Sequence, residues 1–572
     1  MENFYLDNKD MQFHLRYLPL KDIITQKEHD FKEHGEFNYA PKNVEETLVN
    51  YEKALEIMGE ICGEHIAPLA PEIDKEGPHL VDGDVIYPKG TQIALDLIKK
   101  AGLTGITVPR RYNGLNFPTV VYTMLIELVA RAEAGLMNIF SLQDIGETIF
   151  EYADEDICKK YVTMFANGEV TGAMILTEAE AGSDLQRVKT KAVLDETDGT
   201  WRLYGTKRFI TNGNAQISLV LARSEEGTSD ARGLSMFLIE RDETVKIRRI
   251  EEKLGIHGSP TCEMQFDGTK ALLIGKRKMG LIKYVMELMN GARLGIAGQA
   301  IGIAEAAYRE ALKYAHDRKQ FLKSIIEFPA VYDMLTSMRM KIEAARVLTY
   351  FTSMMVDYKK IFTERFDHDK DASARDKMKY YTSVANTMTP IAKFYSTEMS
   401  NQVTYDAIQI HGGDGYMKDY NVERHYRDAR ITNIYEGTTQ LQVVAAIGGI
   451  ISGDVEKEMD NLEALVHETQ FNKEKDMVKA MRRQLAEMVL KYKEMDEEEK
   501  AYNARRIVNV ATHIIISYLM INDGQKSGRK ETIARAFTRN AVGFANADHY
   551  AVMNSHRYVI DEKELIYSLD QE

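Results

Sequence analysis

The chain has 572 residues, 44% of them apolar and 28% charged, the balance of a globular protein with more than one core. A formal net charge of −14 argues against a nucleic-acid binder, whose affinity depends on a cationic surface, and leaves room for a local basic groove that takes a phosphorylated ligand. Three scattered cysteines (Cys62, Cys158, Cys262), without CxxC spacing, argue against a disulfide framework or a metal site and fit a reducing compartment.

The start, Met1-Glu2-Asn3-Phe4, carries an acid where a signal or transit peptide carries basic residues, so a cytoplasmic location is expected. Residues 1–42 are polar and aromatic-rich without a period and read as an appended arm. Asn43, with Glu46 three residues on, signals a helix start. Leu48, Tyr51, Leu55, Met58, Cys62 and Ile66 follow at spacings of three and four, and Pro68 and Pro71 end the run. Helical pattern continues to about Asn167, giving a helical domain over 43–167. The texture then turns β-rich over 168–277, with runs such as Ser218–Ala222 and Leu234–Ile239. Asp198-Gly199 predicts a type I′ hairpin there.

Helical pattern returns over 278–450. Gly291, Gly295, Gly298 and Gly302 share one face and predict a close helix–helix approach rather than a phosphate loop. Phe362 to Lys379 reads as an exposed loop or a helix extension. Residues 451–572 form a further helical domain, with Met477, Met481, Leu485, Met488 and Tyr492 on one stripe and Asn522-Asp523-Gly524 as a helix stop. The apolar stretch Val508 to Ile521 falls short of the roughly 20 residues that cross a bilayer, so membrane association is not expected.

Five segments carry more specific information. They are Leu176-Thr-Glu-Ala-Glu-Ala-Gly-Ser-Asp184, Tyr204-Gly-Thr-Lys-Arg-Phe-Ile-Thr-Asn-Gly213, Asp317-Arg-Lys-Gln-Phe321, Gln409-Ile-His-Gly-Gly-Asp-Gly415, and Arg427-Asp-Ala-Arg430 through Tyr435-Glu-Gly-Thr438. In this order they resemble the acyl-CoA dehydrogenase family, over roughly residues 45 to 450. The two extensions are most similar to the long bacterial subgroup that includes methylthiopropionyl-CoA dehydrogenase; very-long-chain acyl-CoA dehydrogenases also carry an added C-terminal helical domain. The resemblance implies an α+β, mainly α fold: an N-terminal helical domain, a middle β-barrel-like domain, a C-terminal four-helix bundle and the extra helical domain. It implies FAD as cofactor, no metal, and an oxidoreductase acting in fatty acid β-oxidation and lipid metabolism.

Desaturating a thioester between Cα and Cβ requires a base for the α-proton and an electron sink that no side chain supplies, hence a flavin. A lone glutamate would be read as a solvated surface carboxylate. The family match makes Glu436 the base instead, with flavin N5 accepting the β-hydride. Some family members carry the base at the position of Ala292, which has no acid to offer.

The resemblance further implies that Leu176, Thr177, Phe209 and Thr211 border the isoalloxazine, with Ser183 near the flavin phosphates or CoA. Thr438 and Gln440 touch the cofactor, while Tyr435, Gly437 and Arg293 meet the substrate. Arg318, Gln320 and Phe321 reach the FAD of an adjacent subunit, approached also by Gln409, Gly412 and Gly413. Ala179 and Phe209 depart from the family's usual proline and tryptophan, and Asn290 replaces an acid of medium-chain enzymes. The implied partners are an acyl-CoA, an electron-transfer flavoprotein and a second copy of the chain in a homodimer, with a tetramer as the alternative. The rival readings are an acyl-CoA oxidase, which would release peroxide, and a non-catalytic assembly factor, which would not bind FAD.

Overall fold

In the computed structural model, residues 2–367, 370–554 and 557–568 are described. The chain divides into two compact units, Met1–Met338 with Ser396–Glu436, and Arg339–Tyr395 with Gly437–Glu572.

The first unit opens with the arm, which is ordered. Helices α1 (Lys9–Tyr17) and α2 (Leu20–Lys27) bury Met11, Leu15, Leu20, Ile23 and Ile24. Asn8 caps α1 by accepting from the Met11 amide at 3.1 Å. Arg131 lies 3.7 Å over the Phe4 ring and binds Asp7 at 2.6 Å. Each helix has barely two turns, too few to show a period, and tertiary packing supplies the order.

Helix α3 (Val44–Glu60) starts where Asn43 accepts from the Glu46 amide at 2.9 Å. The Glu46 carboxylate takes the Lys42 amide at 3.0 Å, one residue earlier than in a capping box. Tyr51, Leu55, Met58, Cys62 and Ile66 are all buried. The helix widens into a π turn over Ile61–Ile66, and Pro68 tightens the trace into a 3-10 turn at Ala67–Leu69 instead of ending it. Pro71 sits in the first turn of α4 (Ala70–Glu76), so it opens a helix instead of closing one.

Strands β1 (His79–Val81) and β2 (Asp84–Ile86) form a hairpin inside the otherwise helical N-terminal region. Its two-residue turn, Asp82-Gly83, has φ of 51° and 87°, the signature of a type I′ turn. Helices α5 (Lys89–Lys100), α6 (Thr119–Ala132), α7 (Ala134–Ser141), α8 (Asp144–Tyr152) and α9 (Glu155–Ala166) follow.

The β region holds β3 (Gly172–Ile175), β4 (Lys191–Asp195), β5 (Thr200–Thr211), β6 (Ile217–Arg223), β7 (Leu234–Glu240), β8 (Val245–Ile250) and β9 (Thr261–Ile274). Pairings β4–β5, β5–β9, β9–β7, β7–β6 and β6–β4 close a ring, with β3 beside β6 and β8 beside β9. Strands β6 and β7 are apolar on both faces because both faces are buried. Val220, Ala222, Phe237 and Ile239 fill the barrel, whereas Leu219, Leu221, Met236 and Leu238 pack with Val162 and Phe165 of α9. The hairpin at Asp198-Gly199 exists, but its loop spans four residues. Only Gly199 has positive φ there, so the turn is not type I′.

Helix α10 (Met286–Asp317) packs on α6 through its glycine face. A Cβ at Gly302 would lie 2.5 Å from the Glu127 carbonyl oxygen, and one at Gly298 3.1 Å from Ile126. The short hairpin β10 (Lys319–Gln320) and β11 (Lys323–Ser324) precedes α11 (Pro329–Asp367). Helices α12 (Arg375–His411) and α13 (Val422–Arg430) follow. Phe362 to Lys379 is mostly helix end, with a 3-10 turn at Ala372–Ala374; residues 368 and 369 lie outside the described residues.

The second unit contains α14 (Thr439–Ile451), α15 (Glu456–Ala464), α16 (Asn472–Glu494), α17 (Glu497–Gly524) and α18 (Gly528–Met553). Tyr358, Phe362 and Tyr381 stack within it, at ring separations of 4.7 Å and 5.5 Å about Tyr381. Helix α17 runs past the apolar stretch at both ends. By length and composition it is long and apolar enough to cross a membrane, yet most of its apolar window is buried, on a face packed against α14, α15, α16 and α18. Asn522-Asp523-Gly524 forms its last turn, and the next helix begins at Gly528.

Candidate active site

Two of the singled-out segments are tied together in the first unit. The Arg208 amide donates to the Thr177 carbonyl at 3.0 Å, and Lys207 Nζ donates to the Leu176 carbonyl at 2.7 Å. Lys207 is fully buried and lies 3.1 Å from the Glu178 carboxylate. Burial brings its ammonium down to about 8, and Glu178 limits the fall. Glu178 also accepts from the Lys189 and Thr190 amides at 2.8 Å and 2.9 Å. Backbone bonds between Glu178 and Ala181, at 3.1 Å and 3.2 Å, close the turn that holds Ala179. The rigidity that a proline would give is thus supplied by hydrogen bonds.

Strand β5 bulges at Arg208-Phe209, where the register with β9 shifts and Phe209 takes φ of 61°. Phe209 is 51% exposed, with the Arg208 guanidinium 4.6 Å from its ring centre. Arg208 is held in turn by Glu251 at 3.0 Å. An apolar ring left open on a bulge, beside Thr177 and Thr211, fits a flat aromatic group such as a flavin. Ser183 is exposed on the adjoining turn.

A hydrogen-bonded path leads from this region to the Tyr435-Glu436 segment. Thr211 pairs with Thr261 across β5 and β9, and Thr261 Oγ1 accepts from Lys253 Nζ at 3.2 Å. Lys253 also donates to the Ser259 carbonyl at 2.6 Å, and Ser259 Oγ accepts from Asn138 at 3.3 Å. The Tyr435 hydroxyl in turn lies 3.1 Å from Asn138 Oδ1 and donates to Gln299 Oε1. Asn138 and Gln299 were not singled out in the sequence, although each is a lone amide within an apolar helical run, Leu136–Ile139 and Leu294–Ile303.

Glu436 has φ of 54° and Gly437 has φ of 88°, so two successive residues adopt the left-handed backbone region. Glu436 is half-buried. Its carboxylate acts electrostatically on Arg293, which is only 6% exposed and donates to Asn290 Oδ1 at 3.0 Å. Burial lowers the Arg293 guanidinium, and Glu436 partly restores it. Arg293 Nε is buried without a hydrogen-bond partner, an open donor near the carboxylate. Ala292 offers no ionisable group.

The remaining first-unit residues form a second cluster. Arg318 is 3.9 Å from Asp414, which accepts from the Tyr314 hydroxyl at 2.7 Å, and Tyr314 stacks on His411 at 4.3 Å. This brings the β10–β11 hairpin, with Gln320 and Phe321, next to the turn holding Gly412 and Gly413, just after Gln409. Phe321 is 88% exposed with φ of 50°. A Cβ at Gly412 or Gly413 would meet nothing within 4 Å, so this cradle is open. In the second unit, the Thr438 hydroxyl caps α14 by accepting from Leu441 at 3.4 Å, and Gln440 is exposed. The Gly437 carbonyl there accepts from Lys393 and from Gln442.

Comparison with known proteins places the fold. Residues 51–169, 173–269 and 282–451 match the N-terminal, middle and C-terminal domains of acyl-CoA dehydrogenase, and residues 451–552 match the description "Acyl-CoA dehydrogenase C terminal". The 3-methylmercaptopropionyl-CoA dehydrogenase of Ruegeria pomeroyi is 33% identical over 456 residues, 75% of either chain. Butyryl-CoA dehydrogenase from Megasphaera elsdenii has a structure matching with TM-score 0.61 at 30% identity, over 70% of this chain and 98% of that one. Caenorhabditis elegans ACDH-11 in complex with C11-CoA shares the fold, with TM-score 0.78 at 19% identity over 98% of this chain and 96% of that one. The chain belongs to the acyl-CoA dehydrogenase family, whose members are FAD-containing oxidoreductases acting on acyl-CoA.

Proposed function

We propose that this protein dehydrogenates an acyl-CoA thioester between Cα and Cβ, with Glu436 as the base that takes the α-proton. The observation that carries this reading is the Tyr435-Glu436-Gly437 segment, where a half-buried carboxylate is held in a left-handed backbone conformation beside a buried cation. As the proton leaves Cα for Glu436, a hydride leaves Cβ and the double bond of the trans-2-enoyl-CoA forms. FAD, when bound, supplies the acceptor for that hydride. Leu176, Thr177, Phe209 and Thr211 would hold its ring, with Ser183 near its phosphates or the CoA. Thr438 and Gln440 are assigned to the same cofactor.

A glycine after the base lets the backbone approach the thioester oxygen, whose polarisation makes the α-proton acidic. Arg293, buried near Glu436, is assigned to the substrate with Tyr435 and Gly437. The exposed cluster of Arg318, Gln320, Phe321, Gln409, Gly412 and Gly413 is assigned to the FAD of a second copy, which makes the working form a homodimer. An electron-transfer flavoprotein would take up the electrons from the loaded enzyme, and the reaction is assigned to cytoplasmic β-oxidation.

Anaerobic mixing of the FAD-loaded protein with acyl-CoA thioesters of increasing length tests the reading. Bleaching of the flavin's visible band is expected with at least one member. The relative bleaching rates then rank the chain lengths. No bleaching with any acyl-CoA would contradict it.

A further inference from the structure

A glutamate does not keep a left-handed backbone conformation unaided, because its Cβ crowds the following carbonyl. Something next to it must hold the chain there. We propose that Gln299 and Asn138 are positioning residues for Glu436, acting through the Tyr435 hydroxyl. The proposal rests on the reading of Glu436 as the base.

The geometry leaves the two amides no freedom. Gln299 is fully buried on α10 and Asn138 is 4% exposed on α7, so both side chains start from rigid helices. Gln299 spends one amide proton on the Ala134 carbonyl at 2.9 Å and the other on Asn138 Oδ1 at 2.9 Å. Both of those partners are acceptors, so the amide cannot flip, and Gln299 Oε1 is the atom left for Tyr435. Asn138 is oriented in the same way, its Nδ2 donating to Ser259 Oγ at 3.3 Å. A tyrosine has one hydroxyl proton, and this network offers it two fixed acceptors, Gln299 Oε1 and, at 3.1 Å, Asn138 Oδ1.

The Tyr435 ring packs against Ala134, Ile256, Ile303 and Ala429, so the hydroxyl and the ring are both pinned. The peptide that follows carries Glu436. Loss of the hydroxyl bond would let the tyrosine slide along its apolar slot and let Glu436 relax towards ordinary φ. That would swing the carboxylate away from Cα without emptying the site.

The test compares Tyr435→Phe, Gln299→Met and the double variant with wild type and Glu436→Gln, all loaded with FAD. Tyr435→Phe removes one oxygen and keeps the packing; it carries the test alone if Gln299→Met folds poorly. At a saturating concentration of the acyl-CoA that bleaches wild type fastest, flavin reduction in each single variant is expected to slow about tenfold to a hundredfold, the scale of a small misplacement of a reacting group. KM is expected to change little. The double variant is expected to be no slower than Tyr435→Phe, which already removes the hydroxyl bond that Gln299→Met deletes.

Deuterium uptake from solvent at Cα of a 3-thia acyl-CoA, whose sulfur occupies the β position and leaves no hydride to transfer, reads the base by itself. It should slow in step with flavin reduction. Wild-type reduction and exchange rates in Tyr435→Phe would overturn the proposal, as would a loss confined to KM or losses that multiply in the double variant. If Glu436→Gln abolishes exchange while Tyr435→Phe is unaffected, only the positioning role fails. Exchange at the wild-type rate in Glu436→Gln would instead remove the base assignment.

Discussion

Glu133 and Glu436 lie in the same unit, yet only one of them could be singled out from the sequence. Glu133 precedes α7 and caps it, accepting from the Gly135 and Leu136 amides at 2.9 Å and 2.5 Å. Burial pushes its carboxyl up to about 7, Asp428 adds to the rise, and the two amides oppose it. A carboxyl raised in this way keeps its proton in the folded state at pH values where the unfolded chain has lost it. Its contribution to stability is therefore fully present below the unfolded value near 4.5 and is lost as pH rises through about 7. Measured against Glu133→Gln by denaturant titration, wild type is expected to lose about 3 kcal/mol between those limits. A difference that stays flat with pH would contradict this.

Glu436 could be singled out because a family motif surrounds it and the proposed chemistry demands a carboxylate. Gln299 and Asn138 carry no motif. Their only signal is an amide inside an apolar helical run, and burial is needed to turn that signal into a network.

Helices announced themselves where caps and period coincide, as at Asn43 and along Tyr51 to Ile66. They stayed hidden where they are short, as in α1 and α2, because two turns cannot display a period and packing does the ordering. The β1–β2 hairpin was within reach, since Asp82-Gly83 is the same dipeptide as Asp198-Gly199. The two differ in loop length, which the dipeptide does not encode. Two residues give a type I′ turn at the first, while four residues relieve Asp198 of positive φ at the second.

The glycine face of α10 also belongs to this scale. Its predicted close approach is real at Gly298 and Gly302 and fades at Gly291, whose added Cβ would meet only Asp144 at 3.9 Å. Gly302→Ala is expected to destabilise by about 1–3 kcal/mol, because α6 backbone has to move, outweighing a helix-propensity gain of about 1 kcal/mol. Gly298→Ala, which meets a side-chain methyl, should cost less. Thermal melts rank the pair, and equal or raised melting temperatures would contradict the packing argument.

For the molecule, the order helical, β, helical was readable from texture alone, and the ring closure of the sheet from the family resemblance alone. No periodicity encodes which strand pairs with which, because β6 and β7 are apolar on both faces. Helix α17 shows the converse limit. Its composition meets the test for a membrane span, and only its packing among α14, α15, α16 and α18 shows that most of that apolar surface is buried.

The central claim about the molecule is that one carboxylate starts its chemistry. The most direct measurement is the anaerobic rate of flavin bleaching, by the acyl-CoA that reacts fastest with wild type, in wild type and in Glu436→Gln, both carrying FAD. Removing a general base is expected to slow the reaction by about two to four orders of magnitude, with FAD and acyl-CoA binding retained. Bleaching at the wild-type rate in Glu436→Gln would contradict the account.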